Sequence, residues 1–366
     1  RAIAAYDGDT IVGTSATKPF ELTVPGPVSV PVAGVTAVSV LPTHRRRGIL
    51  TEMMRTELES AKRRGEIALV LYASEGLIYG RFGYGAATFA AEYAITRPGV
   101  QFASVERQED EVRLVDTEEG RRRVPEIANR HACLQPGSIP RLQVDWNSWF
   151  DKAQRPSDGR SETFVVIHQD ADGHDDGFLA YRSGPRGQWI WQPGTVEVSR
   201  LIALSDRAYA ALWRYALRLD LVGEITAGSR PVQEPLRWLL ADPRRLRTTG
   251  IYDALWVRLL DIPACLEGRR YFAEGSLTIQ VNDAFYSANQ GCYVLEITSG
   301  GAVCTRADAD PDLALDVARL GSVYLGGVSF SELARGGLIE ERRPGALLEA
   351  DRMFLSPIAP WCTTHF

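Results

Sequence analysis

The chain is short of the features that would assign a chemistry at sight. No apolar run approaches the ~20 residues needed to span a bilayer, so no membrane span is expected. Cysteine is sparse: Cys133, Cys265, Cys292, Cys304 and Cys362 are odd in number, scattered, and without Cys-x-x-Cys spacing. That argues against a disulfide framework and predicts reduced structural thiols in a cytoplasmic protein. No His/Cys/Asp grouping has zinc spacing and no Gly-x-Ser-x-Gly elbow occurs, so neither a metal nor a serine hydrolase is expected. Positive charge is not in excess. A net charge of −5 argues against nucleic acid as a partner and suits a cationic substrate only weakly. The Walker Gly-Lys-Ser/Thr ending and the three-glycine dinucleotide fingerprint are also missing. Asp170-Ala171-Asp172-Gly173-His174-Asp175-Asp176 has the composition of a metal loop without calcium-loop spacing or a terminal Glu, and reads as a solvated hairpin tip. Arg121-Arg122-Arg123 beside Glu118-Glu119 reads as a solvated helix face.

What is present is ordinary globular composition, 45% hydrophobic and 24% charged, in 366 residues, enough for two or three domains. One stretch stands out: Val38-Ser39-Val40-Leu41-Pro42-Thr43-His44-Arg45-Arg46-Arg47-Gly48-Ile49-Leu50. An apolar strand enters a turn with three arginines and a glycine, and a helix begins at once. Leu50, Met54, Leu58 and Ala61 share one face of that helix. Backbone N–H groups at a helix N-terminus favour an anion, and Gly48 leaves room for a pyrophosphate to approach. A basic surface turn that merely caps the helix is the plainer alternative.

Arg45-x-x-Gly48-x-Leu50 resembles the Arg/Gln-x-x-Gly-x-Gly/Ala turn by which GNAT acetyltransferases hold acetyl-CoA, with Leu50 where that pattern has a small residue. A buried-strand pattern over 67–72 leads into Ala73-Ser74-Glu75-Gly76-Leu77-Ile78-Tyr79-Gly80-Arg81-Phe82-Gly83-Tyr84-Gly85. Together with Thr43-His44-Arg45-Arg46-Arg47-Gly48 and the ending Thr363-Thr364-His365-Phe366, this segment resembles the Eis (enhanced intracellular survival) family of N-acetyltransferases. The resemblance implies two tandem GNAT-like domains and a C-terminal sterol-carrier-like α+β domain, expected at 1–108, 109–257 and 258–366. It also implies a homohexamer. A GNAT domain has a strand and two helices ahead of the point where this sequence starts, so acceptor-pocket residues are expected outside it.

Strands are read at 2–6 and 10–13, and another near 90–96 closes the first domain. Pro98-Gly99 and the polar run 107–111 mark a boundary. A helix over 118–132, a hairpin of 164–168 with 178–182, and a strand at 188–191 follow. The strand 196–204 with the cap Ser205-Asp206 parallels 38–50 but carries no anion machinery, which suggests a duplicated unit that has lost the coenzyme. In the last third, strands at 277–281 and 293–297 precede a helix read as capped by Asp310-Pro311 and carrying Leu313, Val317, Leu320 and Tyr324.

Transfer of an acetyl group to an amine requires a held thioester, a base for the ammonium (pKa ~10) and an acid for the leaving thiolate. By resemblance, Val38, Ser39 and Val40 line the pantetheine arm and offer N–H groups to the thioester oxygen. Arg45, Arg46 and Arg47 with the backbone of Gly48, Ile49, Leu50 and Thr51 hold the pyrophosphate, and Ser74 and Glu75 flank the coenzyme. The match puts the proton donor on Tyr79; a packing role for Tyr79 is the alternative, and Tyr84 reads as structural. It puts the proton acceptor on the C-terminal carboxylate, here that of Phe366, with His365 where the family often has an acid. His44 reads as a hydrogen-bond partner within the turn. The expected acceptor is a primary amine on an aminoglycoside-like or polyamine-like cation or a lysine side chain, acetylated by direct transfer. A coenzyme-binding scaffold and a lipid carrier are the competing readings.

Overall fold

β-Branched and aliphatic residues alternate through the first forty positions and build a meander of β1 (Ala2–Asp7), β2 (Thr10–Val24) and β3 (Val28–Val40). In the computed structural model, which describes residues 1–103, 112–154, 159–184 and 193–366, α1 (Ile49–Arg63) then returns the chain. β4 (Ala68–Tyr72) lies parallel to β3. The short helix α2 (Gly76–Gly80) and strand β5 (Gly85–Ala86) follow. The sheet is completed by a distant strand, Leu255–Leu259, between β4 and β5. Its place there is bought by burial: Leu255, Val257 and Leu259 are all fully buried, each worth ~1.5–3 kcal/mol.

By contacts the chain divides into two compact units. One comprises Arg1–Phe89, Cys133–Ile139 and Asp253–Phe366; the other comprises Ala90–Ala132 and Pro140–Tyr252. The expected domain end at 257 therefore falls inside the strand Leu255–Leu259 of the first sheet. The strand Phe89–Thr96, expected to close the first domain, lies instead in the second unit's sheet, antiparallel to Val222–Pro231.

The second unit's seven-stranded sheet contains the expected hairpin, Phe164–Gln169 with Asp175–Ser183. At its tip the Asp170 carboxylate accepts the N–H groups of Asp172 and His174. The helix Thr117–Ala132 forms as expected, and a second, Gln143–Ala153, was not legible as a helix. The strand Gly194–Ala203 leads into the helix Asp206–Arg218, whose N-cap Ser205 accepts the N–H of Ala208 at 3.1 Å. The strand expected at 188–191 and the boundary run 107–111 lie outside the described residues.

The last third adds a five-stranded sheet to the first unit, with Gly275–Asn282 and Gly291–Thr298 antiparallel within it. One expectation fails here. Asp310-Pro311 cap no helix; Leu313–Asp316 is a strand paired in parallel with Ile279–Asn282, and the helix begins at Val317 with the Asp316 carboxylate accepting the Arg319 N–H. Pairing with a buried strand outweighs the helical spacing of the apolar residues. One core joins this sheet to the first: Phe20, Leu22 and Val32 pack in a single cluster with Leu277, Ile279 and Leu320. All five cysteines are free thiols, and all but Cys133 are buried. Among the described residues no helix is long and apolar enough to cross a membrane.

Candidate active site

The site begins with an irregularity in β3. Its pairing with β2 shifts register around Ser15, and Ala37 takes a φ of 52°, a left-handed value rare for a side chain with a Cβ. The Thr14 hydroxyl donates to the Ala37 carbonyl at 3.0 Å and holds the bulge. A bulge bends and twists its strand. β3 and β4 pair in parallel only from Val32 with Ala68 to Gly34 with Val70, and then part.

The gap opens into a cavity of about 650 Å³ lined by Val38, Ser39, Val40, Arg45, Arg46, Gly48, Ile49, Leu50, Thr51, Ser74, Glu75 and Tyr79 among others. The turn supplies its basic end. Arg46 and Gly48 have φ of 63° and 83°, and Gly48 is the N-cap of α1, with no side chain capping the helix. The first-turn N–H groups are therefore open to an anion, with the helix dipole behind them. A Cβ on Gly48 would meet nothing within 4 Å, so the left-handed backbone rather than crowding favours glycine there.

Arg47 is not brought into this cavity. Its guanidinium lies 3.7 Å from the exposed Asp7 carboxylate. His44 contacts the same carboxylate at 3.1 Å and the Thr43 hydroxyl at 2.8 Å, the turn-holding role its position suggests. Ile78 and Arg81 also line the cavity and were not singled out in the sequence. Arg81 stacks over the Phe82 ring with its guanidinium carbon 4.7 Å from the centroid.

Tyr79 is buried in α2, its ring edge-on to Tyr84 at 6.1 Å. Burial raises its phenol above the usual value, opposed by a side-chain hydrogen bond from Ser74. Tyr84 is wholly buried, and its hydroxyl has no partner among the described residues; burial pushes its phenol up further still. No cysteine lines the cavity.

Phe366 lies outside the lining of this cavity but close to where the strands part. Its ring packs on Phe20 at 4.8 Å and on Tyr72, the last residue of β4, at 5.6 Å. The tail leading to it is tied down. Trp361 N–H donates to the Pro136 carbonyl, the Thr364 hydroxyl to Ile139, and the Tyr72 hydroxyl to the Thr364 carbonyl at 2.9 Å. His365 stacks on Tyr72 at 4.3 Å. The contacts of Tyr72 and of the segment Cys133–Ile139 with the tail gave no signal in the sequence, because their partners are far away in the chain.

The second unit offers a contrast. Its parallel strands Gly194–Ala203 and Val222–Pro231 also part, after Val198 and Ala227. There Arg230 donates to the Leu201 carbonyl at 2.6 Å and pairs with Glu234 at 2.9 Å, all of it buried. The gap is bridged by a side chain, and Ser205 already occupies the helix N-terminus.

Family models match three segments: an acetyltransferase (GNAT) domain over residues 1–87, another over 137–259, and a sterol carrier protein domain over 262–363. The chain is 41% identical to an uncharacterized N-acetyltransferase of Streptomyces avermitilis, over 100% of this chain and 89% of that one. It is 35% identical to the N-acetyltransferase Eis of Mycobacterium tuberculosis, over 97% of this chain and 85% of that protein. The crystal structure of Eis1 from Mycobacterium abscessus superposes with a TM-score of 0.90 at 36% identity, covering 100% of this chain and 90% of that one. A cleft between parting parallel strands, an uncapped helix facing it, and a likeness that runs the length of the chain place this protein in the Eis family of GNAT N-acetyltransferases, with acetyl-CoA as co-substrate.

Proposed function

We propose that this N-acetyltransferase moves the acetyl group of acetyl-CoA directly onto a primary amine, with Tyr79 protonating the leaving thiolate and the Phe366 carboxylate accepting the amine proton. The observation that carries the reading is the shared cavity. Tyr79 and the uncapped phosphate turn line one space, as a thioester held by its pyrophosphate requires. A buried phenol with a raised pKa stays protonated at neutral pH and can donate to sulfur. A backbone N–H of the Val38–Val40 stretch turned away from β2 would stabilise the charge developing on the thioester oxygen. Direct transfer is favoured over an acyl-enzyme because the cavity holds no thiol, and burial raises the thiols of Cys265 and Cys304.

An α-carboxyl group has a pKa of ~3.5 and is a weak base in water. The Phe366 ring packs on Phe20 and Tyr72 and so fixes the residue that carries the carboxylate. The group would take the proton directly, with its basicity raised by partial desolvation, or through a water. The acceptor is a cationic amine, aminoglycoside-like, polyamine-like or a lysine side chain. Cytoplasmic location and assembly as a homohexamer belong to the same reading. A lipid-carrier role is disfavoured by Arg269, which is buried in the C-terminal third. It donates to the carbonyls of Tyr324 and Phe354 and stacks on Tyr271, a buried charge within that segment's interior.

The test is thiol release from acetyl-CoA across a panel of amines, using the protein, Tyr79→Phe and a form lacking Phe366. The expected result is a rate loss of ~100-fold or more in both variants with coenzyme binding retained. Full activity without Phe366 would remove the carboxylate from the mechanism. Full activity in Tyr79→Phe would remove the phenol.

A further inference from the structure

We infer that a buried ion pair, Arg258–Asp283, is a positioning device that holds Tyr79 in register with the coenzyme turn. Neither residue lines the cavity. Both are sealed from solvent, with Arg258 0% and Asp283 2% exposed, and the guanidinium meets the carboxylate at 2.6 Å. Burying two charges is unfavourable unless every polar atom finds a partner, and here the partners lead to the site.

On one side Arg258 Nε donates to the Phe82 carbonyl at 2.8 Å, and the Phe82 N–H in turn donates to the Tyr79 carbonyl at 3.0 Å. Gly83 is packed so closely that a Cβ would stand 2.7 Å from Arg258 Nε, so the turn after α2 has no slack. On the other side the second oxygen of Asp283 accepts the N–H groups of Phe285 and Tyr286 at 3.2 and 2.9 Å. The turn so formed presents two rings to the first sheet's elements. Phe285 lies edge-on to Phe82 at 5.0 Å and under Arg55 of α1 at 5.2 Å; Tyr286 accepts a hydrogen bond from Lys62 of α1 at 2.9 Å.

One turn of the sterol-carrier-like segment thus anchors both the helix that begins at the phosphate turn and the loop that follows Tyr79. A thiolate receives a proton only from a donor placed within hydrogen-bond reach, and a displacement of an ångström lowers the rate steeply. The C-terminal segment therefore acts on the reaction through geometry. This rests on the role proposed for Tyr79, and the experiment separates the two.

The rate and the acetyl-CoA Kd are measured for Asp283→Asn, Tyr79→Phe and the double variant, with folding checked by circular dichroism. Asp283→Asn is expected to lower kcat on the order of 10- to 100-fold with Kd changed less than threefold. In the Tyr79→Phe background it should cause no further loss, because there is no longer a donor to misplace. A further loss in that background, or an unaffected kcat beside an inactive Tyr79→Phe, overturns the inference while leaving the acid in place. A fully active Tyr79→Phe overturns both. Should Asp283→Asn not fold, Phe285→Leu loosens the same turn without stranding a buried charge, and the same pattern of non-additivity decides.

Discussion

The ring of Phe366 lies against Gly34, at the last paired residue before β3 and β4 part. A Cβ there would stand 3.0 Å from Phe366 Cε2 and 2.3 Å from Phe20 Cε2. Gly34→Ala should push Phe20 aside, and with it the terminal ring packed on Phe20, lowering kcat on the order of 10- to 100-fold while acetyl-CoA binding, read by calorimetry, stays within threefold. An unchanged rate in a folded Gly34→Ala protein would show that the seat of Phe366 has no bearing on transfer.

The three arginines of the turn are predicted to be unequal. Arg46 lines the cavity whereas Arg47 faces Asp7. A charge-assisted hydrogen bond contributes ~1.5–3 kcal/mol, so Arg46→Ala should raise the KM for acetyl-CoA about tenfold or more. Arg47→Ala should leave it within twofold, since an exposed ion pair contributes little. Steady-state kinetics at fixed amine concentration decides, and equal losses would mean the turn rearranges around the coenzyme.

Coenzyme binding should saturate at one molecule per chain. In the second unit the Ser205 hydroxyl takes the Ala208 N–H, and Arg230 bridges to the Leu201 carbonyl where the strands have parted. An acetyl-CoA there would have to displace a buried ion pair. Isothermal titration gives the stoichiometry directly; a value near two would refute this account of the second unit.

Transfer should persist to high pH on the acid side of the mechanism. Burial holds the Tyr79 phenol above the free value of ~10, so kcat should show no alkaline fall below about pH 10. Tyr84 and Tyr324 are raised by burial as well. Their folded-state proton affinity exceeds that of the unfolded chain. The stability they contribute is therefore complete below pH ~10 and is lost as pH rises through the folded values. Thermal melts at pH 8, 10 and 11 should show Tm falling only in the upper part of that range. A kcat limb near pH 8 would point to a different acid.

Legibility in the sequence followed the range of the interactions. The strand, turn and helix of 38–63 could be read because each depends on near neighbours: apolar alternation, a glycine among arginines, an apolar helix face. The cap Ser205 was legible for the same reason. The direction of Arg47 was not, since Asp7 is forty residues away in sequence and nothing between them announces the contact. Leu313 was misread because apolar spacing fits a short strand and a helix equally, and only its partner Ile279 decides. Tyr72, Gly34 and the tail show the limit most plainly, since their meeting place exists only in the folded chain.

The insertion of Leu255–Leu259 between β4 and β5 has a consequence for synthesis. On the ribosome the first sheet must wait, with β4 lacking its neighbour, until the whole intervening stretch has emerged. That stretch can collapse on its own sheet in the meantime, so the later-numbered unit is expected to fold before the one that encloses it. A fragment cut after β5 would carry the whole turn between β3 and α1 and still be an open-edged, unfinished sheet.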